Sequence, residues 1–344
     1  MNARLTGRSA LLAALLLAFA CAPGARAADD HHDRAPSDPF RLQPLRGGVH
    51  ALYGRGGNVG FYVGPRSVLL IDDQFKDLAP GIKAQVEKVT PLPIRFLVNT
   101  HHHGDHVGGN EFFSQFAEVL AHENVRTHML ASPAEILAAG PRVSDSLKAL
   151  AAATTDSAKR ASLNSTTQRV DDQVMWAKTV KIEEIAPLVT LAGTGEMRVH
   201  LGDETIRLVH YDSAHTDGDC VVFFEKAHVI HMGDVYFHAV IPYIDWQHGA
   251  SVPGYMNFID SVLAHAPDDA MFIPGHGEVS DAAGLREFRA YLADLSVATR
   301  GAHDAGKTMA QAVESVKLPK YEKWSGYKER LGANVEAAWR TIYR

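Results

Sequence analysis

Within seven residues, Thr100 to His106, the chain places four histidines and an aspartate. In an extended segment alternate side chains face the same way, so His101 and His103 point together while His102 points elsewhere. Gly104 then lets the backbone turn, bringing Asp105 and His106 to the other side of the same pocket. Two imidazoles for one metal, with a carboxylate and an imidazole for a neighbouring one, is zinc-type ligation by nitrogen and oxygen donors. Three more such residues stand in loops beside strand-like runs. They are His215 in Ser213–Asp219, Asp234 in His231–Asp234 and His276 in Pro274–Gly277. Each alone is a weak signal. Tyr236, His238, Tyr243, Trp246 and His248 follow Asp234 on one loop, where a ring can border a substrate pocket or equally pack the loop against its scaffold.

Together and in this order, the His-x-His-x-Asp-His motif, the later His, the Gly-Asp and the Gly-His-Gly resemble the metallo-β-lactamase superfamily over about Val49 to Gly277. The resemblance implies an α/β fold, a four-layer αββα sandwich with the metals at one edge between the sheets. It implies that His101, His103 and His215 hold one zinc, that Asp105, His106 and His276 hold a second, and that Asp234 bridges them. Asp72, which closes a strand in Leu70-Ile71-Asp72, matches the family's supporting acid. The expected cofactor is therefore two Zn2+ per chain. Between two metals roughly 3.5 to 4 Å apart, a hydroxide would attack the carbonyl of an amide, ester or thioester, Asp105 steering it and taking a proton.

The departures from particular branches bear on substrate. One β-lactamase subclass has a Cys where this chain has Asp234, followed by a Lys that binds the drug carboxylate; Val235–Gly249 contains no Lys or Arg. Another subclass dispenses with that Lys, so β-lactams stay among the candidates. The Gly-Asp bridge is the pattern of glyoxalase-II-like thioesterases and lactonases, and the same ligand set holds one iron in sulfur dioxygenases.

The elements that must position these residues are legible as short runs between Gly, Pro and polar turns. Strands are predicted at Val49–Tyr53, Gly60–Val63, Ser67–Asp72, Ile94–Val98 and Glu118–Ala121, with helices at Asp77–Val89 and Asn110–Ala117. Residues 133–182 are Ala-rich, lack strand signal and read as an inserted helical hairpin or lid around Thr154-Thr155, expected to set substrate choice. Strands return at Met197–Leu201, Thr205–Tyr211, Val221–Phe224 and His228–His231. A helix to His265 and a strand at Met271–Ile273 follow, and 281–344 reads as a helical C-terminal extension.

The remaining constraints come from composition. The chain has 344 residues, 34 Lys+Arg against 40 Asp+Glu, and 46% hydrophobic residues, which is ordinary globular composition. The acidic balance argues against nucleic acid as a partner, and a small-molecule substrate is expected. Arg4 and Arg8, the apolar run Leu11–Ala20 and Ala25-Arg26-Ala27 form an export signal over 1–27, followed by a solvated leader over 28–48 and the main domain over 49–280. That run is too short to cross a bilayer, which takes about 20 residues, so no membrane span is expected. A periplasmic or secreted protein follows, with lipidation at Cys21 ranked second. Cleavage would leave Cys220 alone, so no intrachain disulfide can form, and a buried inert thiol is the expected reading. His50, His122, His128, His200, His210 and His265 fit no ligand position, and the sequence leaves the oligomeric state open.

Overall fold

The computed structural model describes residues 39–342. The expected export signal, Cys21 and the first part of the expected leader lie outside the described residues.

Among the described residues the strands form two sheets. The first runs β1 (Arg41–Pro44), β2 (Val49–Tyr53), β3 (Val59–Val63), β4 (Val68–Ile71), β5 (Ile94–Val98), β6 (Glu118–His122) and β7 (Val189–Leu191) in sequence order. The second contains β8 (Gly195–Leu201), β9 (Glu204–His210), β10 (Val221–Phe224), β11 (Val229–His231) and β12 (Met271–Ile273), in the order β12-β11-β10-β9-β8. Pairing is antiparallel from β1 to β4 and parallel from β4 to β7. In the second sheet only β11 and β12 are parallel.

Alternation along the strands builds the layers. Leu69 and Ile71 of β4 point inward to meet Val222 and Phe224 of β10 in a core between the sheets, with Val49, Val98, Leu208 and Ile273. Val68 and Leu70 point outward, onto Ile82 and Val86 of the helix Ala79–Val89. Val221 and Phe223 likewise face outward, under the helices Val252–His265, Ala282–Asp304 and Tyr327–Ile342. Strands buried on both faces explain the continuous apolar runs seen in the sequence. The result is the expected four-layer αββα sandwich, and Cys220 sits fully buried in its central core.

Several boundaries differ from the sequence reading. β1, inside the segment read as leader, pairs with β2, Arg41 opposite Tyr53; its four residues carry too little pattern to signal a strand. β7 is just as short. The inserted hairpin begins earlier than 133, with helices Glu123–Ala153 and Ser157–Thr179 around a turn at Thr154–Asp156. Pro133, where the insertion was expected to begin, lies inside the first helix, as does Pro141. The two helices close on a small core of their own, Ile136, Ala139, Val143, Val170, Val174 and Ala177. Among the described residues no helix is long and apolar enough to cross a membrane.

Candidate metal centre

The parallel pairs β4–β5 and β11–β12 end together, Ile71 opposite Val98 and His231 opposite Ile273. The loops leaving these carboxyl ends therefore meet at one edge of the sandwich, where ligands bind in open α/β sheets. Main-chain bonds tie them: Asp73 N–H to the His106 carbonyl at 3.0 Å, Cys220 N–H to the Thr100 carbonyl at 2.8 Å, and Gly275 N–H to the Gly233 carbonyl at 2.7 Å. The Tyr255 hydroxyl, in the core, donates to the Asp234 carbonyl. Two glycines are required by close approach. A Cβ on Gly57 would lie 2.1 Å from His106 Cε1, and one on Gly275 would lie 2.0 Å from Asp234 Oδ1.

All seven residues singled out as metal ligands converge here, in two groups. His103 Nδ1 is 3.2 Å from His101 Nε2 and 2.9 Å from His215 Nε2. Asp234 Oδ2 completes this group, 3.3 Å from His215 Nε2 and 3.8 Å from His101 Nε2. The other oxygen, Asp234 Oδ1, is 3.2 Å from His106 Nε2 and 3.5 Å from His276 Nε2. Asp105 Oδ2 closes that second group, 3.4 Å from His276 Nε2 and 3.8 Å from His106 Nε2. Donors around a tetrahedral ion with bonds of 2.0–2.1 Å lie about 3.3 Å apart, so both groups are spaced to hold one ion each. Asp105 Oδ2, His106 Nε2 and Asp234 Oδ1 are buried and have no hydrogen-bond partner. Buried polar atoms left unsatisfied at one point are costly unless something fills it, and the donor set suits a divalent transition metal.

The far nitrogens are anchored, which fixes ring orientation. His101 Nδ1 meets Thr100 Oγ1 at 3.0 Å, His106 Nδ1 meets Asp72 Oδ2 at 2.7 Å, and His215 Nδ1 meets the Tyr243 carbonyl at 2.8 Å. Asp72 also accepts from the Thr100 N–H and hydroxyl, both at 2.8 Å, and takes the left-handed backbone with φ 59°. His103 Nε2 is held by Asp245 Oδ2 at 2.9 Å. Sequence reasoning missed Asp245; an acid among the rings of the loop after Asp234 was the available signal.

The two groups differ in charge. Burial alone would raise the Asp234 and Asp105 carboxyls, but the imidazoles around them, His106 and His276 foremost, hold both well below the usual carboxylate range. Burial opposes a charge on His276, yet Asp234 and Asp105 outweigh it and push that imidazole up to about 9. His106 is raised in the same way by Asp234, Asp72 and Asp105 against its burial. His101 and His215 go the other way, lowered by burial, His215 to about 4. In the metal-free protein at pH 7 the second group thus carries protons that an ion must displace, while His101 and His215 are already neutral. Affinity at the second group should fall as pH drops below about 9, and proton release should accompany loading. Zinc titration of the apoprotein at pH 8 and pH 6 should show one equivalent weakening much more than the other; equal weakening would contradict the assignment.

Beside the centre, a cavity of about 470 Å³ lies between the hairpin and the loops of the first sheet. Its apolar wall includes Phe75, Met129, Ile136 and Trp176, and His102 and Gly104 border it; of its three cations Arg55 is paired with Asp77 and Lys76 with Glu111, both acids of the same lining, while Arg169 lies in the lining with Asp172. None of the five loop residues proposed for the pocket lines this cavity. Tyr236 is fully buried against Phe288, its hydroxyl on Ser280 Oγ at 3.0 Å. His238 is bonded to the Glu278 carbonyl at 2.8 Å, and Trp246 lies under the Arg340 guanidinium, 4.4 Å away. Tyr243 sits nearer the chemistry, its ring centroid 5.8 Å from that of His103. His248 packs against His102 and His128. For Tyr236 and Trp246 the cause is that a loop leaving a buried strand spends its aromatic residues on the core beneath it.

The model of the metallo-beta-lactamase superfamily matches residues 52–276. Among solved structures, a metallo-beta-lactamase from Pontibacter korlensis is similar at 15% identity and TM-score 0.51, covering 74% of this chain and 98% of that one. The DIM-1 metallo-beta-lactamase exposed to ceftazidime is similar at 14% identity and TM-score 0.52, with 76% and 98% covered. The stereoselective inverting sec-alkylsulfatase Pisa1 from Pseudomonas sp. is similar at 17% identity and TM-score 0.59, covering 88% of this chain and 50% of that one. At such identities the likeness is one of fold. No curated protein sequence matches.

Proposed function

The chain belongs to the metallo-beta-lactamase superfamily and is a metal-dependent hydrolase, and from that premise we propose an exported enzyme that uses two zinc ions to cleave an amide, ester or thioester bond of a small molecule. The observation that carries the two-metal reading is the division of Asp234, Oδ2 with one histidine group and Oδ1 with the other. His101, His103 and His215 would hold one ion, Asp105, His106 and His276 the second, and Asp234 both. Such a pair supplies Lewis acidity to the scissile group and acidifies a water towards neutral pH. The protein's part is to aim the ligands through Asp72, Asp245, Thr100 and the Tyr243 carbonyl, and to offer the Asp105 carboxylate, ionised at pH 7, as a proton acceptor through the oxygen that does not join the second group. Export rests on the N-terminal pattern of residues 1–27.

The cavity supports an amphipathic substrate with an apolar body and an acidic group. Where Val235–Gly249 offers no cation, Arg169 on the hairpin does, and its buried Nε has no partner. β-Lactams, lactones and thioesters with a carboxylate are all of this kind. Arg169→Ala should raise KM for carboxylate-bearing substrates about tenfold or more, the worth of one charge-assisted contact, while kcat and turnover of neutral esters hold. An equal effect on neutral and anionic substrates would remove Arg169 from recognition. Elemental analysis of the purified protein, followed by hydrolysis assays across the three substrate types, tests the whole reading. One iron and no zinc would overturn it.

A further inference from the structure

The two ligand groups leave a third cluster of histidines unused. His102, between the ligands His101 and His103, meets His128 from the first hairpin helix and His248 from the turn Trp246–His248. Their ring centroids are 4.5 Å (His102–His128), 4.9 Å (His102–His248) and 5.0 Å (His128–His248) apart. One nitrogen from each ring lies within 4.8 Å of the others.

Two features separate this cluster from ordinary packed histidines. His102 is 2% exposed, and neither of its ring nitrogens has a hydrogen-bond partner. A neutral imidazole has one donor and one acceptor, and leaving both buried and unpaired is costly. The other two rings each have one nitrogen on a carboxylate, His128 Nε2 on Asp217 Oδ1 at 2.7 Å and His248 Nδ1 on Asp245 Oδ2 at 2.6 Å. A carboxylate behind an imidazole, with the other nitrogen left over, is how metal-binding histidines are held and made more basic.

We infer that His102, His128 and His248 form a third, outer metal site for a divalent transition ion of zinc or copper type, three imidazoles being the donor set such ions favour. Three protein ligands would leave a coordination position open, and one of the three, His102, borders the cavity. Asp245 links this site to the inner centre, because the same Oδ2 holds His248 and His103. The site does not depend on the inner pair holding two ions.

The test compares zinc content of the full exported chain and its variants, stripped by chelation and dialysed against Zn2+ alone. The His128→Ala/His248→Ala variant should bind one equivalent fewer than wild type, and Asp234→Ala should keep that outer equivalent while losing metal from the inner centre. The two losses are separate, so failure of the outer site and failure of the inner reading are distinguishable. Asp217→Asn, which removes only the support behind His128, should weaken the outer equivalent about 10- to 100-fold with the fold intact. Equal zinc content in wild type and the double variant, or no weakening in Asp217→Asn, would overturn the inference.

Discussion

Asp234→Ala should abolish turnover and release metal, with the fold retained. Both oxygens of this carboxylate are engaged, Oδ2 near His101 and His215 and Oδ1 near His106 and His276, so the substitution takes a donor from each group at once. The loss should exceed the roughly 10- to 100-fold that removal of an outer supporting group costs. Asp217→Ala is the control: its carboxylate lies on His128, outside both inner groups, and should leave the inner pair loaded. Elemental analysis with circular dichroism checks the expectation. Full inner metal content in Asp234→Ala would contradict the bridge.

Asp72 offers the second large effect, and it separates into two parts. Its carboxylate takes the His106 Nδ1 hydrogen and both hydrogens of Thr100, so all of its acceptance serves the ligand loop. Asp72→Asn replaces one acceptor by a donor that faces donors, and activity should fall about 10- to 100-fold through a misaimed His106. Asn tolerates the left-handed backbone found here, so stability should change little by that route. Asp72→Ala adds strain of about 1–2 kcal/mol for that backbone and leaves buried donors unmet at about 1–3 kcal/mol. A thermal melt should therefore rank wild type above Asn and Asn above Ala. Equal melting of Asn and Ala variants would show that the backbone at Asp72 is not strained.

The site was more legible in the sequence than its surroundings. Ligation demands particular residue types at particular places, so the spacing and order of His101, His103, Asp105, His106, His215, Asp234 and His276 carried a family resemblance, and it was the resemblance that named them as ligands. The strands β4 and β10 were equally plain, since burial on both faces leaves uninterrupted apolar runs. What escaped was decided by neighbours distant in sequence. β1 exists because β2 offers it an edge, and Pro133 and Pro141 stay helical because the hairpin packs on its own core. Tyr236 and Trp246 were placed at the pocket because both are aromatic and follow a ligand, features shared by core and pocket residues alike. Asp245 acquires meaning only once the fold lays it behind His103 and His248.

The segment that matches the family ends at His276, yet the second sheet is not closed there. Phe223, Ile230 and Phe272 are covered by Leu285, Phe288, Tyr291 and Leu292, and the layer continues through Tyr321, Leu331 and Val335. A chain stopped at its last ligand would carry every group needed to gather metal but would turn an oily sheet face to water, where association with other copies is the ready escape. Recognisable homology and autonomous folding therefore have different limits in this molecule. The C-terminal helices supply no ligand, yet it is on them that the foldability of the catalytic half depends.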